Sequence, residues 1–276
     1  MKIKYAVHPE DVKSYDTERL RQEFHSEGIM VDDEISLVYT HYDRYIYGGI
    51  VPKNKQLTLG TYDELKAEFF MQRREMGVLN IGDPGTVTVD GEAHQLNYLD
   101  MLYIGMGKKD ITFKSADPRK PAKYYVNSCP AHKEYPTKGA TKDEVNQVHL
   151  GSAELCNERT IFQFIHENGI QSCQLVMGYT ELKKGSVWNT FPPHTHERRM
   201  EVYFYFEIPK DQIIVHFMGQ PQQTRHIAMK NEEAVVSPPW SIHAGAGTAS
   251  YKFVWGMAGE NKAFTDMDGG PLMEFL

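Results

Sequence analysis

The amino-acid sequence predicts a mainly all-β protein with a few short peripheral helices. Turn signals at short intervals separate apolar runs rich in Val, Ile, Tyr and Phe, which is the pattern of a β-sandwich or barrel. Helix-period patterns are few and short. The 276 residues suffice for one large domain or two small ones, and contents of 41% hydrophobic and 24% charged residues are typical of globular domains.

The first half contains two of the three predicted helices and the clearest hairpin. Helices are expected over Thr17–Phe24, from Thr61 to about Glu75, and shortly after Thr141. The last two begin with the S/T-x-x-E form of a capping box, in which each end satisfies a backbone N–H of the other. Strands Thr86–Val89 and Glu92–Leu96 flank Asp-Gly, which tolerates the positive φ angles of a type I′ turn.

The second half is denser in strands, and a polar stretch from Pro130 to about Asn157 separates it from the first. The expected strands are Cys173–Glu181, Glu201–Ile208, Ile213–Met218, Arg225–Met229, Ala234–Ser237 and Tyr251–Met257.

A weak internal repeat relates the two halves. The segment 72–78 resembles 196–202 once one gap is allowed, and 98–103 parallels 231–236. Two similar β-domains in tandem, 1–140 and 141–276, would explain both matches. Chance similarity between two β-rich halves is the alternative.

Charge and cysteine content exclude several classes of protein. The net charge of −7 argues against a nucleic-acid-binding protein, which needs a basic face to neutralise phosphates. The chain has neither an apolar run long enough to span a membrane nor a secretory signal, so a cytoplasmic protein without membrane partners is expected. Three cysteines without a C-x-x-C pair indicate neither a disulfide framework nor a cysteine metal site.

His194 and His196 begin a motif of the form H-x-H-x4-E that ends at Glu201. Alternate residues of a strand face one side, so both imidazoles can point toward the same site. Glu201 is an odd number of residues from both and would face away on a regular strand. A turn or bulge within 197–200 would bring it back, and the charged Glu-Arg-Arg run there suits a turn.

A second motif places His243 five residues after Pro238, just past a proline-rich corner. Three imidazoles and one carboxylate make a competent site for a divalent transition metal, with coordination positions left for water or substrate. The alternative is a pair of surface histidines beside a solvated charge run. The spacing of Glu201 and the presence of the second motif favour the metal site.

The two motifs resemble the metal-binding motifs of the cupin superfamily, although Trp240 stands where a glycine is usual. More specifically, the chain resembles the 5-keto-4-deoxyuronate isomerases, also called 4-deoxy-L-threo-5-hexosulose-uronate ketol-isomerases, which are bacterial enzymes of pectin and uronate breakdown. The resemblance runs from about residue 70 to residue 261. The segments that carry it are RREMGVLNIG, TVDG, PAHKEYPTK, CQLVMGYTELKKG, WNTFPPHTHERRMEVYFYF, MGQPQQTRHIAM, SPPWSIHAGAGT and FVWGMAGEN.

The resemblance implies two tandem cupin-like double-stranded β-helix barrels and a homo-oligomer, namely a hexamer. It also implies one zinc ion per chain, with His194, His196, Glu201 and His243 as ligands. In the first half the corresponding positions fall near Gln72 and near Met76 or Gly77, and no histidine matches the last ligand. We therefore expect the barrel over 1–140 to be degenerate and metal-free, and the barrel over 141–276 to carry the metal.

The implied reaction converts 5-dehydro-4-deoxy-D-glucuronate, a small keto-uronate, into 3-deoxy-D-glycero-2,5-hexodiulosonate. This aldose–ketose isomerisation removes a proton beside a carbonyl, so zinc would polarise the carbonyl and stabilise the enediolate. The sequence leaves the identity of the catalytic base open, and the candidates are a metal-bound hydroxide, His226 and Glu260. Arginine binds carboxylates bidentately, and Arg198, Arg199 and Arg225 are the candidates for the substrate carboxylate.

Two alternatives keep the cupin fold and change the function. One is a different metalloenzyme, either another sugar isomerase or an iron dioxygenase, because three histidines and a glutamate do not select zinc by affinity alone. The other is a non-catalytic sugar-binding cupin. Intact ligands in one half argue against the second alternative, because a binding barrel does not need an open metal site.

Overall fold

In the computed structural model, which describes residues 1–263, 265–270 and 274–276, the chain forms 24 β-strands and two short α-helices. The helices are α1 (Pro9–Val12) and α2 (Thr17–Phe24). The strands of the first 140 residues are β1 (Lys2–Lys4), β2 (His25–Ser26), β3 (Ile35–Thr40), β4 (Ile46–Ile50), β5 (Leu57–Thr58), β6 (Arg74–Asn80), β7 (Gly85–Val89), β8 (Glu92–Leu96), β9 (Met101–Ile104), β10 (Ile111–Ser115), β11 (Tyr124–Pro130) and β12 (Lys138–Ala140). The remaining strands are β13 (Asn146–Leu150), β14 (Arg159–Ile165), β15 (Val176–Leu182), β16 (Trp188–Asn189), β17 (His194–Thr195), β18 (Arg199–Phe206), β19 (Ile214–Gln220), β20 (Gln223–Met229), β21 (Glu233–Ser237), β22 (Ala244–Gly247), β23 (Lys252–Gly259) and β24 (Asp268–Gly269).

Contacts divide the chain into two compact units. The first unit comprises Met1–Ile3, Ile29–Asn146 and Phe164–Met177. The second comprises Lys4–Gly28, Gln147–Gln163 and Gly178–Leu276. Each unit thus includes a segment that lies far along the chain from its main part. The assignment of 1–140 and 141–276 as two domains stays a prediction.

The first unit consists of two sheets around an apolar core. Its seven-stranded sheet has the order β1-β3-β4-β11-β6-β9-β12, and its four-stranded sheet has the order β5-β10-β7-β8. The hairpin predicted around Asp-Gly is β7–β8, and Asp90 (φ 48°) and Gly91 (φ 87°) have the positive φ angles of a type I′ turn. Val78, Val87 and Phe113 are buried members of the core, which both sheets supply.

The second unit repeats this arrangement. Its larger sheet has the order β13-β14-β15-β23-β18-β21-β2, its smaller sheet has the order β16-β22-β19-β20, and β17 pairs with β24. Every residue of β18 is buried. Because side chains alternate along a strand, Glu201, Tyr203 and Tyr205 share one face of β18. That face holds one of the predicted ligands.

The order of strands confirms the predicted repeat. The run β4-β11-β6-β9 in the first unit matches β15-β23-β18-β21 in the second, and β5-β10-β7-β8 matches β16-β22-β19-β20. Arg74 begins β6 opposite Pro130, and Arg199 begins β18 opposite Gly259. Met76 and Glu201, each two residues into its strand, therefore occupy equivalent positions. Met76 is buried in the apolar core of its unit.

The helix predicted over Thr17–Phe24 is confirmed as α2, which Asp16 caps through a bond from the Arg19 amide. The helix predicted from Thr61 to Glu75 is wrong, since two short 3-10 turns, Asp63–Leu65 and Phe70–Arg73, lie there instead. The backbone of Lys66 adopts the left-handed conformation, which ends the first 3-10 turn. Burial of Phe70 and Met71 in the core outweighs the helix propensity of the segment.

Within the described residues, no helix has the length and apolar character needed to cross a membrane.

Candidate metal centre and active site

A turn between β17 and β18 brings Glu201 to the side of the two preceding histidines. His194 lies on β17, the chain turns at Glu197 and Arg198, and β18 begins one residue later. The Arg199 amide donates to the His196 carbonyl at 3.2 Å and closes the turn. The break in the strand that the odd spacing required is therefore present where the sequence predicts it.

His243 reaches the same site from the other sheet. It directly precedes β22, after a turn in which the Ser241 amide donates to the Pro238 carbonyl. Glu201, by contrast, belongs to the larger sheet of this unit. The two motifs thus meet across the interior of one barrel.

The four predicted ligands lie together. The Glu201 Oε2 atom is 3.2 Å from His196 Nε2 and 2.9 Å from His243 Nε2. One ring nitrogen from each of His194, His196 and His243 lies within 4.8 Å of those of the other two. Glu201 and its two nearest histidines are each at most 4% exposed.

The arrangement of protons at these side chains fits a cation. His196 Nδ1 faces the Arg199 carbonyl at 2.9 Å, so in the neutral ring it carries the proton and leaves a lone pair on Nε2. That lone pair meets a carboxylate oxygen of Glu201. Two electron-rich atoms at this distance require a proton or a cation between them, and a divalent transition metal suits a set of three imidazoles and a carboxylate.

Burial and neighbouring charged groups favour a neutral His194 and an ionised Glu201, which are the forms that bind a metal. Burial, reinforced by the nearby imidazole of His243, lowers the pKa of His194 to about 3, so the His194 imidazole is neutral at physiological pH. Burial raises the pKa of Glu201, but His243 and His196 outweigh that effect and hold it well below its ordinary value. The cluster is therefore capable of binding a metal ion.

The cluster forms part of the wall of a cavity of about 520 Å³, all of whose lining residues belong to the second unit. This size is typical of small-molecule sites. Apolar side chains dominate the lining, among them Ile161, Phe191, Phe253, Trp255 and Met267. Polar groups beside the cluster include the Tyr203 hydroxyl, which lies 2.5 Å from Thr190 Oγ1.

Of the three arginines predicted for the substrate carboxylate, Arg199 lines this cavity. Its buried guanidinium is already engaged: Nη1 donates to the Ala263 carbonyl at 2.9 Å and pairs with Asp266 at 3.2 Å. Arg198 does not line the cavity and pairs with Asp266 and Asp268 at 2.6 and 2.8 Å. Arg225 is also outside the lining, and its guanidinium donates to the carbonyls of Lys13 and Thr224.

The two side chains proposed as the base lie away from the cavity lining. His226 is exposed on β20, opposite Phe217 of β19. Glu260 is exposed just after β23, where its amide donates to the Arg198 carbonyl. The structure therefore brings neither of them to the ligand cluster.

Sequence reasoning missed Arg159, which lines the cavity from the start of β14. Arg159, Ile161 and Gln163 alternate along this strand and all line the cavity. That period-two pattern was the available signal. The polar stretch that ends at Asn157 lies directly before this strand and obscures the pattern.

Solved structures share the fold of this chain at low sequence identity. An IolB-like protein from Salmonella typhimurium LT2 superposes with a TM-score of 0.72 at 14% identity, covering 87% of this chain and 94% of its own. The oxalate decarboxylase of Lactobacillus farciminis gives a TM-score of 0.55 at 9% identity, covering 79% of this chain and 77% of its own. The predicted fold class, mainly all-β with two tandem cupin-like barrels and few short helices, is confirmed.

Curated relatives are similar over nearly the whole chain. A protein of Formosa agariphila is 55% identical over 271 residues, which are 98% of this chain and 97% of the relative. A protein of Lachnoclostridium phytofermentans is 53% identical and covers 99% of both chains, and one of Escherichia coli O45:K1 is 50% identical and covers 97% of both. Each is named 4-deoxy-L-threo-5-hexosulose-uronate ketol-isomerase.

These relatives confirm the resemblance found in the sequence, and the model of the KduI/IolB family matches residues 29–269. With a family match over most of its length and relatives at 50–55% identity, this chain belongs to the KduI/IolB family.

Proposed function

We propose that this chain is a metal-dependent aldose–ketose isomerase that converts 5-dehydro-4-deoxy-D-glucuronate into 3-deoxy-D-glycero-2,5-hexodiulosonate in uronate breakdown. The observation that carries the proposal is the cluster of His194, His196, Glu201 and His243 in the wall of a largely apolar cavity. The names of the relatives support the reaction.

Zinc is the proposed metal, one ion per chain, with these four side chains as ligands. When bound there it would act as a Lewis acid that lowers the cost of negative charge on the substrate's oxygens. The largely apolar lining strengthens such an effect, because charges are screened less there than in bulk water. The donor set also suits iron, so the identity of the metal is part of the test.

The protein's own groups prepare the site. The Arg199 carbonyl fixes the proton of His196 on Nδ1, and burial keeps His194 neutral. The phenol of Tyr203 and the hydroxyl of Thr190 offer hydrogen bonds to a sugar's oxygens at the same wall. Since His226 and Glu260 lie outside the cavity lining, a base that acts there must come from another group.

The experiment is an NMR assay of the purified protein with 5-dehydro-4-deoxy-D-glucuronate, before and after removal of metal and after reloading with zinc or iron. We expect turnover to disappear on chelation and to return with zinc, without uptake of oxygen. A zinc-loaded protein that leaves the substrate unchanged would refute the isomerase. Oxygen uptake by the iron-loaded protein would identify a dioxygenase instead.

We also propose that the chain assembles as a homo-oligomer, a hexamer, as the family resemblance implies. Analytical ultracentrifugation of the full chain tests this proposal directly. A sedimenting mass of about six chains is the expected result, and a monomer at micromolar concentration would contradict it.

A further inference from the structure

Arg159 is a buried cation without an anionic partner. Its side chain lines the cavity, and the residue is only 8% exposed. Its Nη1 donates to the Asn157 carbonyl at 2.9 Å, but Nε is buried and has no hydrogen-bond partner. Among the residues that the structure describes, no carboxylate forms an ion pair with it.

The other arginine of the cavity differs in this respect. Arg199 has the carboxylate of Asp266 at 3.2 Å and two backbone carbonyls within hydrogen-bond distance. Its charge is therefore already neutralised inside the protein. The carboxylate in the cavity lining, Glu201, is likewise committed to His196 and His243.

Burying a guanidinium in an apolar cavity without an anionic partner costs free energy, unless a bound anion supplies that partner. Burial lowers the pKa of Arg159, which shows that its charged form is disfavoured where it lies. Bonds from a guanidinium to a carboxylate are strong in such surroundings, and the arginine fork matches a carboxylate bidentately. With Nη1 on Asn157, the edge formed by Nε and Nη2 is left for an anion.

We propose that Arg159 binds the carboxylate of the sugar acid and makes the cavity selective for uronates over uncharged sugars. The inference deepens the proposed function and rests on it for the identity of the substrate. Arg159 and the His–Glu cluster line the same cavity, so the proposal has one small sugar acid contact both. The carboxylate end is then fixed by Arg159 while the carbonyl end lies at the cluster.

The first test compares Arg159→Gln with the wild type on 5-dehydro-4-deoxy-D-glucuronate and on its methyl ester, which has the same reacting carbons and no charge. For the acid we expect kcat/KM to fall about 100-fold, mainly through KM, because the substitution removes a charge-assisted contact. For the ester we expect a change within about threefold. Arg159→Lys should recover part of the loss as a point charge.

Arg225→Gln is the matched control, because it removes the same charge outside the cavity lining and should leave both substrates unaffected. Metal content and melting temperature of each variant establish that the fold and the ligand cluster are intact. Equal losses on acid and ester, or an effect of Arg225→Gln as large as that of Arg159→Gln, would overturn the proposal.

A binding measurement separates this proposal from the isomerase itself. The same acid and ester are titrated into the protein with tryptophan fluorescence as the readout, since Trp255 lines the cavity. Tighter binding of the acid that Arg159→Gln abolishes supports Arg159 even if no turnover is seen, in which case the proposed function alone fails. Acid and ester binding alike in wild type would overturn the role of Arg159.

Discussion

His196 depends on a backbone group for its chemistry at the ligand cluster. The carbonyl of Arg199 accepts from its Nδ1 at 2.9 Å, and the same residue begins the strand that carries Glu201. The turn within the first motif therefore sets both the tautomer of His196 and the direction of Glu201. A residue inserted into this turn should disturb both.

Replacing Glu201 by Gln should weaken metal binding by at least about 100-fold. Partners of metal ligands alone contribute 10- to 100-fold to metal affinity, and this change removes the negative charge from the cluster itself. Competition with a chromogenic chelator measures the affinity. Glu197→Gln is the control, since Glu197 is an exposed carboxylate in the same turn. An equal affinity of the two variants would show that Glu201 is not a ligand.

At the scale of residues, spacing in the sequence was sufficient to predict that the four proposed ligands lie together, and insufficient to predict which arginine lines the cavity. Odd spacing between His196 and Glu201 required a break in the strand, and a charged run marked its position. Which arginine faces a cavity depends on pairings between distant strands. Arg199 and Asp266 are 67 residues apart in the sequence, and no motif near either residue predicts their contact.

The segment after β23 is held against β17 and the start of β18 by a two-stranded sheet and by ion pairs between side chains. β24 pairs with β17, so Gly269 lies opposite His194. Asp266 bridges Arg198 and Arg199, and the side chains of Asp266 and Arg199 are at most 6% exposed. This segment thereby contributes Met267 to the cavity wall.

Asp266→Asn should lower the free energy of unfolding by about 3 kcal/mol, because it leaves the buried guanidinium of Arg199 without an anionic partner. Urea denaturation monitored by tryptophan fluorescence measures the change. Asp268→Asn provides the comparison, since Asp268 is 47% exposed and an exposed pair contributes at most about 1 kcal/mol. An equal loss of unfolding free energy in both variants would show that the buried pair between Arg199 and Asp266 contributes no more than an exposed one.

A buried pair between His25 and Glu233 fastens β2 to β21, with His25 Nε2 2.8 Å from Glu233 Oε2. Burial raises the pKa of Glu233, but the bonds from His25 and from the Lys230 amide outweigh it, and the pKa lies below its ordinary value. A carboxylate with a lowered pKa stabilises the fold above its unfolded pKa, and that stabilisation disappears as pH falls through the folded pKa.

Glu233→Gln should therefore cost about 1–2 kcal/mol at pH 7, and the difference from wild type should shrink below about pH 4.5. Urea denaturation of both proteins at intervals from pH 7 to pH 3 gives the comparison. A difference that stays constant over this range would show that the charge of Glu233 plays no part.

Local signals predicted some elements well and misled for others. The Asp-Gly hairpin and α2 follow from nearest-neighbour chemistry, namely a turn with positive φ and an aspartate cap. Only half of the capping box forms at Thr141: its amide donates to the Glu144 carboxylate, but the Glu144 amide donates to the Thr141 backbone carbonyl instead of its hydroxyl, and only a turn results. Residues from Asn146 onward join a sheet, so tertiary pairing overrides the helix signal.

The two units repeat one arrangement of strands, and the proposed metal ligands all lie in the second unit. The unit that contains β6 has an apolar residue, Met76, where its counterpart has Glu201. Met76→Leu should leave zinc content at one ion per chain and lower the free energy of unfolding by less than about 1.5 kcal/mol. Elemental analysis decides the first point. Loss of zinc in this variant would mean that the first unit takes part in metal binding.

The repeat could be inferred from the sequence, but the segments that each unit takes from elsewhere in the chain could not. The backbone amides of Cys173, Gln174 and Leu175 each donate to the buried carboxylate of Glu75 at 2.7–2.8 Å. This contact spans about a hundred residues and fixes a stretch of the second half in the first unit. Composition and residue spacing do not predict contacts between segments so far apart in the chain.

The most direct test of the central claim, that the His–Glu cluster is the metal site of an isomerase, measures turnover and zinc content together in His243→Ala. His132→Ala is the matched control, because His132 is exposed in the first unit. We predict that His243→Ala loses both zinc and conversion of 5-dehydro-4-deoxy-D-glucuronate, while His132→Ala retains both. Full turnover and full zinc content in His243→Ala would contradict the account.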